Sequence, residues 1–530
     1  GVADGPFSSR AGTKKQGENE LAIKIRRVRV KGATIFSADE LAGCYRSLIG
    51  RTIGENELAT LTDCITDIYH KAGYNLSRAV VPPQDVDKGR LIVQVIEGYV
   101  SEVKFEGVDA ARFRADRFAQ PIMAERPLKL ETLERQLLLI SDIPGFGLKD
   151  TLLEEVGEMT GRFVLTIVAE SWDVWSGAEI DNRGSDSIGP YQSFQSVSLN
   201  SLLGFGETIG IGYSSIVDSF DELHFGTASL TIPLNEYGLT LSAYISSSVS
   251  QPNDNRKTIN TKFKTIDGGV NLQWAALRTR KTSLWVGGGI WARNNKDEND
   301  FGTYVKDKLQ GISLFARLQH EDRFKGITYI YANLKGGLDF GDSSEKGDAN
   351  LSRFDGDGEF TRFNLDVTRL QVIDDNWSLL LSGSLQLGSE GLLSSQEFYF
   401  GGARFGRAYE SGVVSGDSGA AASVELRYTR NIESDYMNGF QLYAFADIGS
   451  IFDDGNSFAN GALLSSAGAG VRLYLPYGFE ADMSAAFPID DDDLSNAKDE
   501  EYYFRVSRSF KLDEFRLDKP RSWFQGAFKK

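Results

Sequence analysis

The feature that most constrains this chain is alternation of polarity. From Trp172 to about Phe510, apolar and polar residues take turns in segment after segment, divided by short turns or acidic loops. Ile209, Ile211 and Tyr213 fall on one side of such a segment, and Thr208, Gly210, Gly212 and Ser214 on the other. Ala422, Val424, Leu426 and Tyr428 alternate with Ser423, Glu425, Arg427 and Thr429. Phe363, Leu365 and Val367 alternate with Arg362, Asn364, Asp366 and Thr368. A period of two marks a β-strand whose faces meet different surroundings. Here one row is apolar, and the other carries charges that lipid rejects and a wet interior accepts.

The segments lie near 172–181, 191–202, 205–216, 222–233, 238–249, 260–276, 282–294, 308–321, 326–341, 358–373 and 376–389, then near 420–431, 440–452, 463–475, 478–487 and 501–510. That makes about sixteen strands, an even number, as single-chain bacterial barrels have. No stretch holds eighteen consecutive apolar residues, so no membrane helix is expected; barrel strands cross with far shorter alternating runs. A β-helix would show a short regular repeat, and none is present. A soluble sandwich would not need an apolar outer row on nearly every strand. The links at 203–204, 233–238 and 476–477 are short, whereas those at 294–306, 342–357 and 488–500 are long and acidic. Barrels place short turns on the periplasmic side and long loops outside. The acidic runs at 355–359 and 490–493 lack the ligand spacing of a calcium loop and read as solvated surface.

The N-terminal third has another texture. Residues 1–20 are polar and turn-rich, and read as a flexible lead-in. A strand is expected at 23–30, then a short helix opened by a Ser37/Glu40 capping box. A second helix begins near Glu55, with Leu58, Leu61, Ile65, Ile68 and Tyr69 on one face and Gly73 as its C-terminal cap. Strands at 75–81 and 90–96 follow. The same β-α-α-β-β order recurs with a strand at 100–107, helices at 112–119 and 130–140, and strands at 148–153 and 163–169.

A net charge of −17 argues against a nucleic-acid partner. The histidines His70, His224 and His320 are scattered, and the two cysteines lie near the N-terminus, so no metal site is expected. No nucleophile–base arrangement suggests an enzyme, and no cofactor is called for. The chain begins at Gly1 without a basic and apolar leader, which fits a removed signal peptide or a trimmed start.

Lys71-Ala72-Gly73-Tyr74, with Pro83-Gln84-Asp85-Val86, Gly89-Arg90-Leu91 and Glu97-Gly98, resembles the first POTRA domain of the two-partner secretion transporters, the TpsB family. Leu133-Glu134-Arg135, Leu137-Leu138-Leu139 and Asp142-Ile143-Pro144-Gly145 resemble the second. Asp181-Asn182-Arg183-Gly184 with Gly189-Pro190-Tyr191-Gln192 looks like the start of that family's barrel. The glycine- and aromatic-rich stretch 398–412, FYFGGARFGRAYESG, resembles its sixth extracellular loop, which returns into the lumen and ends in a Val-Arg-Gly-Tyr/Phe motif. Arg407 and Tyr409 match it; Gly406 replaces the valine and Ala408 the glycine. Phe445-Ala446-Asp447-Ile448-Gly449 resembles the family's Phe-x-Asp-x-Gly strand.

The resemblance implies a mainly β chain with an N-terminal α+β part: two tandem POTRA domains (22–98 and 99–170) and a 16-stranded antiparallel transmembrane barrel (171–510). A lead-in (1–21) and an extension (511–530) flank them, and an inward-folded loop occupies about 390–419. The lumenal loop residues are Gly401, Gly402, Phe405, Arg407 and Tyr409, and Phe445, Asp447 and Gly449 are their barrel partners. Alternation places Asp447 on the face of Gln441, Tyr443 and Phe445, toward the lumen, so Arg407 and Asp447 form a candidate pair. The family's POTRA domains are periplasmic and take unfolded clients by strand addition. That implies a client-binding region at Gly73, Tyr74, Pro83, Gln84, Val86, Pro144 and Gly145. Cys44 and Cys64 fall on two neighbouring helices, and an oxidising periplasm would let them pair; the alternative is two buried thiols.

The expected function is an outer-membrane translocator that recognises an unfolded, large secreted partner and exports it without ATP. The partner could be an adhesin, a haemolysin or a contact-dependent toxin. The chain would be monomeric and in contact with outer-membrane lipid and lipopolysaccharide. The rivals are a barrel-assembly insertase of the same superfamily and a porin or receptor barrel. Residues 1–20 are shorter and more polar than the N-terminal plug helix and linker of many relatives. Residues 511–530, made amphipathic by Trp523, Phe524 and Phe528, depart from the usual terminal phenylalanine and are expected in periplasmic or lumenal space.

Overall fold

The computed structural model describes residues 23–389, 391–432, 434–452, 463–489 and 500–512. The lead-in, the 490–493 acidic run and all but the first two residues of the C-terminal extension lie outside them. The chain divides into two compact units. One holds residues 1–104, 121–133 and 151–166, and the other 105–120, 134–150 and 167–530.

In the first unit a helix Ala38–Tyr45 opens on a complete Ser37/Glu40 capping box, and a longer helix spans Glu55–Lys71. Leu61, Ile65 and Tyr69 are buried on the longer helix and pack with Ile25, Leu41, Ile53, Leu91 and Val93. Cys44 and Cys64 are bonded to each other across the two helices. The expected strand at 23–30 is broken into Ile23–Lys24 and Arg27–Lys31. The first piece pairs with Thr52–Ile53, a strand too short to show in the sequence, and the second runs parallel to Arg90–Ile96. The strand expected at 75–81 is confined to Arg78–Val80. Glu97 closes this module. Its carboxylate accepts hydrogen bonds from the Thr34 amide (2.7 Å) and hydroxyl (2.6 Å), the Ile35 amide (3.2 Å) and the Tyr69 hydroxyl (2.7 Å). Burial alone would raise its pKa, but these donors outweigh burial and hold it below the ordinary 4.5.

The second module carries helices Ala115–Ala124 and Leu130–Ser141 and strands Tyr99–Glu106, Phe146–Glu155 and Arg162–Ser171. Its first helix begins three residues later than the sequence suggested.

Sixteen antiparallel strands close into a barrel. Glu501–Leu512 pairs with Val174–Asp181 from Arg505↔Asp181 to Leu512↔Val174. The Asn182 side chain prolongs this seam: its Nδ2 donates to the Tyr502 carbonyl (2.7 Å), and its Oδ1 accepts from the Phe504 amide (2.7 Å). The outer rows are apolar and exposed, as at Ile211, Ile245, Ile290 and Leu314. One expected connection is corrected. Residues 294–306 are not a long acidic loop, because the strands Thr282–Asn299 and Gly302–Glu321 extend to a tight hairpin. Twenty residues far exceed the ten or so that cross a bilayer, so the tip of this hairpin rises above the hydrocarbon, wet on both faces.

Candidate functional site

The stretch between barrel strands Trp377–Gly388 and Gly419–Asn431 is pinned as a narrow hairpin. Phe398–Phe400 pairs antiparallel with Val414–Gly416. Between them Gly401, Gly402 and Gly406 take positive φ (111°, 92° and 74°). At Gly406 this explains the absent valine, because a β-branched residue strains in that region and its Cβ would meet the Phe400 ring at 2.5 Å. The Gly402 amide donates to the Tyr409 carbonyl (2.9 Å), and the Tyr409 amide to the Gly406 carbonyl (2.9 Å). Phe398, Phe400, Phe405, Tyr409 and Val414 form a small apolar core with Ala421, Ile451 and Leu464 of the wall. A Cβ at Gly449 would collide with the Phe400 ring, so this glycine makes room for the loop.

Arg407 is the centre of the site. Its Nε donates to Asp447 Oδ2 (2.9 Å), its Nη2 to Asp447 Oδ1 (2.7 Å), and its backbone amide also to Oδ2 (3.1 Å). Its Nη1 reaches Glu425 (2.9 Å), and its Nη2 also reaches Ser423 (3.0 Å). The guanidinium lies 3.4 Å above the Phe445 ring centroid. Arg407, Asp447 and Glu425 are 9 %, 2 % and 4 % exposed, so the pairing happens out of bulk water, where a bidentate geometry is worth most. Tyr409 adds a hydrogen bond from its hydroxyl to the Ser465 carbonyl (2.9 Å). Along Gly439–Ile451, burial falls on Gln441, Tyr443, Phe445, Asp447 and Gly449, which fixes that row as lumenal.

The network is wider than the pair read from the sequence. Glu425 also accepts from Arg427 (2.8 Å) and Arg472 (3.0 Å). Arg472 in turn binds Asp482 (2.9 Å), which accepts from the Tyr443 hydroxyl (2.6 Å). Three guanidinium groups therefore face three carboxylates, and the cluster is neutral. Alternation already placed Glu425 and Arg427 inward. Arg472 and Asp482 sit on strands whose register to Glu425 no single segment reveals. Arg404, in the loop tip, binds Asp366 (2.7 Å), and Arg353 binds Asp417 (2.7 Å) where the loop rejoins the barrel, so the loop is tied at these points as well.

A second lumenal feature escaped the sequence reading. Arg317, Lys335 and Arg362 line a cavity of about 430 Å³ with Asn271, Gln273 and Tyr331. Lys335 lies 3.6 Å above the Trp291 ring.

The residues expected to bind a client are mostly engaged within the protein. The Gly73 carbonyl accepts from the Leu130 amide (2.8 Å), and the Tyr74 ring packs in the first module's core with Lys129 over it. Gln84 pairs both ends of its amide with the Ile92 backbone (2.7 and 2.8 Å), doing the work of a strand neighbour. Pro83 is exposed, and Val86 is half-buried. Pro144 borders a cavity of about 260 Å³ shared with barrel residues Thr231, Gly238 and Ala275. Gly145 accepts from the Trp172 amide (2.9 Å) and abuts Asn200. Arg135 binds the Ala275 carbonyl, and Arg278 binds Asp142 with 2.7 Å contacts. Gly145 is thus a packing position in this unit.

Two domain tunings coexist here: an α+β region and a barrel with a pinned loop. Residues 163–473 match the family described as haemolysin secretion/activation protein ShlB/FhaC/HecB. The chain belongs to that family. Residues 23–98 match the ShlB-type POTRA domain. The chain is 22 % identical to a heme/hemopexin transporter protein, HuxB, of Haemophilus influenzae, over 96 % of this chain and 90 % of that one. It is 23 % identical to the outer membrane transporter CdiB of Escherichia coli, over 88 % and 79 %. The solved structure of CdiB from Escherichia coli superimposes with a TM-score of 0.77 at 20 % identity, covering 95 % of this chain and 93 % of that one. The chain is therefore an outer-membrane transporter of the two-partner secretion type. It exports a partner protein, and its POTRA region is periplasmic.

Proposed function

We propose that Arg407, Asp447 and Glu425 form a latch that holds the 390–419 loop inside the lumen, where the seated tip shapes the conduit, so that export of the partner requires the latch to be intact. The observation that carries this reading is the buried, bidentate Arg407–Asp447 contact, shared with Glu425. A salt bridge of this kind tolerates no partial loosening, because each unpaired charge would stay buried at a cost of several kcal/mol. The loop is therefore a two-position element. Residues 22–98 and 99–170 form the two capture modules and 171–510 the conduit. The client is a large exoprotein kept unfolded in the periplasm, and its folding outside draws it forward without ATP. The transporter works as a single chain in contact with outer-membrane lipid and lipopolysaccharide.

The test is secretion by cells carrying Arg407→Ala or Asp447→Ala, alongside heat-modifiable migration of the barrel as a measure of folding. A folded, inserted barrel that secretes poorly supports the latch. Normal secretion by both variants refutes it.

A further inference from the structure

The outer face of the barrel carries a feature that the export reading leaves unused. A groove of about 850 Å³ runs over the strands between Leu223–Pro233 and Gly302–Glu321. Ala228, Ala243, Gly268 and Ala292 give it a low floor, and Ile245, Val270, Ile290 and Ile312 stand beside them. Register keeps these residues on one face: Ala243↔Val270, Val270↔Ile290 and Ile290↔Ile312 are direct pairs.

Following the same rows toward the extracellular end leads to lysines. Lys264↔Lys296 and Lys296↔Lys306 are direct cross-strand pairs, and Lys308 pairs with Asn294 one row below. Alternation puts all four on the outer face. Like charges set opposite one another in a ladder cost stability, so the arrangement needs a counter-charge. Among the described residues only part of it is present: Lys264 and Lys296 share the Glu298 carboxylate, and Lys308 binds Asp342, which also attracts Lys306 and is 86 % exposed. Arg369, Arg430 and Arg508, also on the outer face, lie instead near the periplasmic turns.

Height decides what meets the lysines. Outward-facing Trp274 stands near the periplasmic turn at Tyr237, to whose carbonyl its indole donates. The ten residues from Trp274 to Lys264 span about 33 Å along the strand, which its tilt reduces to a rise of about 25 Å, the height of a barrel's apolar band. The lysines are therefore at headgroup level of the outer leaflet, directly above the groove.

We propose that this face holds one phosphorylated, multiply acylated glycolipid of the outer leaflet, with an acyl chain in the groove and its phosphates on Lys264, Lys296, Lys306 and Lys308. A phospholipid would fill the groove but bring one phosphate to four cations. The site is independent of which protein is exported.

The test is native mass spectrometry of the full-length protein in detergent, titrated with bisphosphorylated hexa-acyl lipid A, its dephosphorylated form, phosphatidylglycerol and inorganic phosphate. Wild type should retain one bisphosphorylated lipid A in preference to the other three. Lys296→Glu/Lys306→Glu should weaken retention about tenfold or more. Ala292→Phe, which fills the groove and leaves every charge in place, should weaken it too; heat-modifiable migration checks that both variants fold. Lipid A retained equally by both folded variants overturns the proposal, as does equal retention of phosphatidylglycerol or of dephosphorylated lipid A. So does a protein dimer through this face that excludes lipid A.

Discussion

The first module and the barrel are built on opposite plans. The module buries Leu61, Ile65, Tyr69 and Leu91 and covers them with helices stapled by Cys44–Cys64. The barrel turns its apolar rows outward and gathers Arg407, Arg427, Arg472, Glu425, Asp447 and Asp482 inside. In the module, removing an interior group should cost stability. The barrel wall is held by its continuous backbone ladder, so removing an interior group should cost function and spare the fold. That contrast can be broken from either side.

The largest effect is expected at Arg407. Arg407→Ala strands the buried Asp447 carboxylate, while Glu425 keeps Arg427 and Arg472, and this should shift the latched balance by about 3 kcal/mol, roughly a hundredfold. Single-channel recordings should show a more open pore in a barrel that still migrates as folded. Arg407→Lys should fail to restore the latch, because an ammonium cannot hold Asp447 with two parallel bonds. An unfolded Arg407→Ala barrel would erase the contrast.

On the module side, Ile65→Ala should destabilise the helical layer by about 2–5 kcal/mol. It would appear as faster amide exchange along Glu55–Lys71 in the full-length protein. Replacing Cys44 and Cys64 with serine should cost about 3 kcal/mol through the freed loop, read by the same exchange. Barrel amides should be unaffected in both variants.

Glu97 gives a pH signature. Its folded pKa lies below 4.5, so its contribution is fully present above that value. The contribution is lost as pH falls through the lower folded value, when the carboxylate stops accepting from Thr34, Ile35 and Tyr69. Exchange protection near Glu97 should fall in that window in wild type and stay flat in Glu97→Gln. The smallest effect is expected at Tyr409→Phe, which removes one hydrogen bond to Ser465, worth about 1 kcal/mol. It should raise conductance slightly.

What could be read from the sequence follows the same division. Asp447, Glu425 and Arg427 were legible because each lies in a strand whose opposite row faces lipid, so polarity alternates. The 294–306 hairpin was misread because it rises above the hydrocarbon, where both faces are wet and the alternation of polarity disappears. Arg472 and Asp482 were hidden for another reason: their partnership depends on register across several strands. The Gly406 departure from the family's valine became intelligible only with its φ of 74° and the Phe400 ring beside it. In the first module, two-residue strands such as Thr52–Ile53 are too brief for any period to emerge.

The seam between Val174–Asp181 and Glu501–Leu512 also bears on how such a chain can be made. Its ion pair between Arg505 and Glu179 joins residues 326 positions apart. Contacts of that separation are slow to form, and until they do, two strand edges stand open to aggregation. The wall cannot be completed in the order in which the ribosome delivers it. The first barrel strand has to wait for the last, and a chain truncated within the final strand should be recognised and degraded as unfinished, however well its first fifteen strands are made.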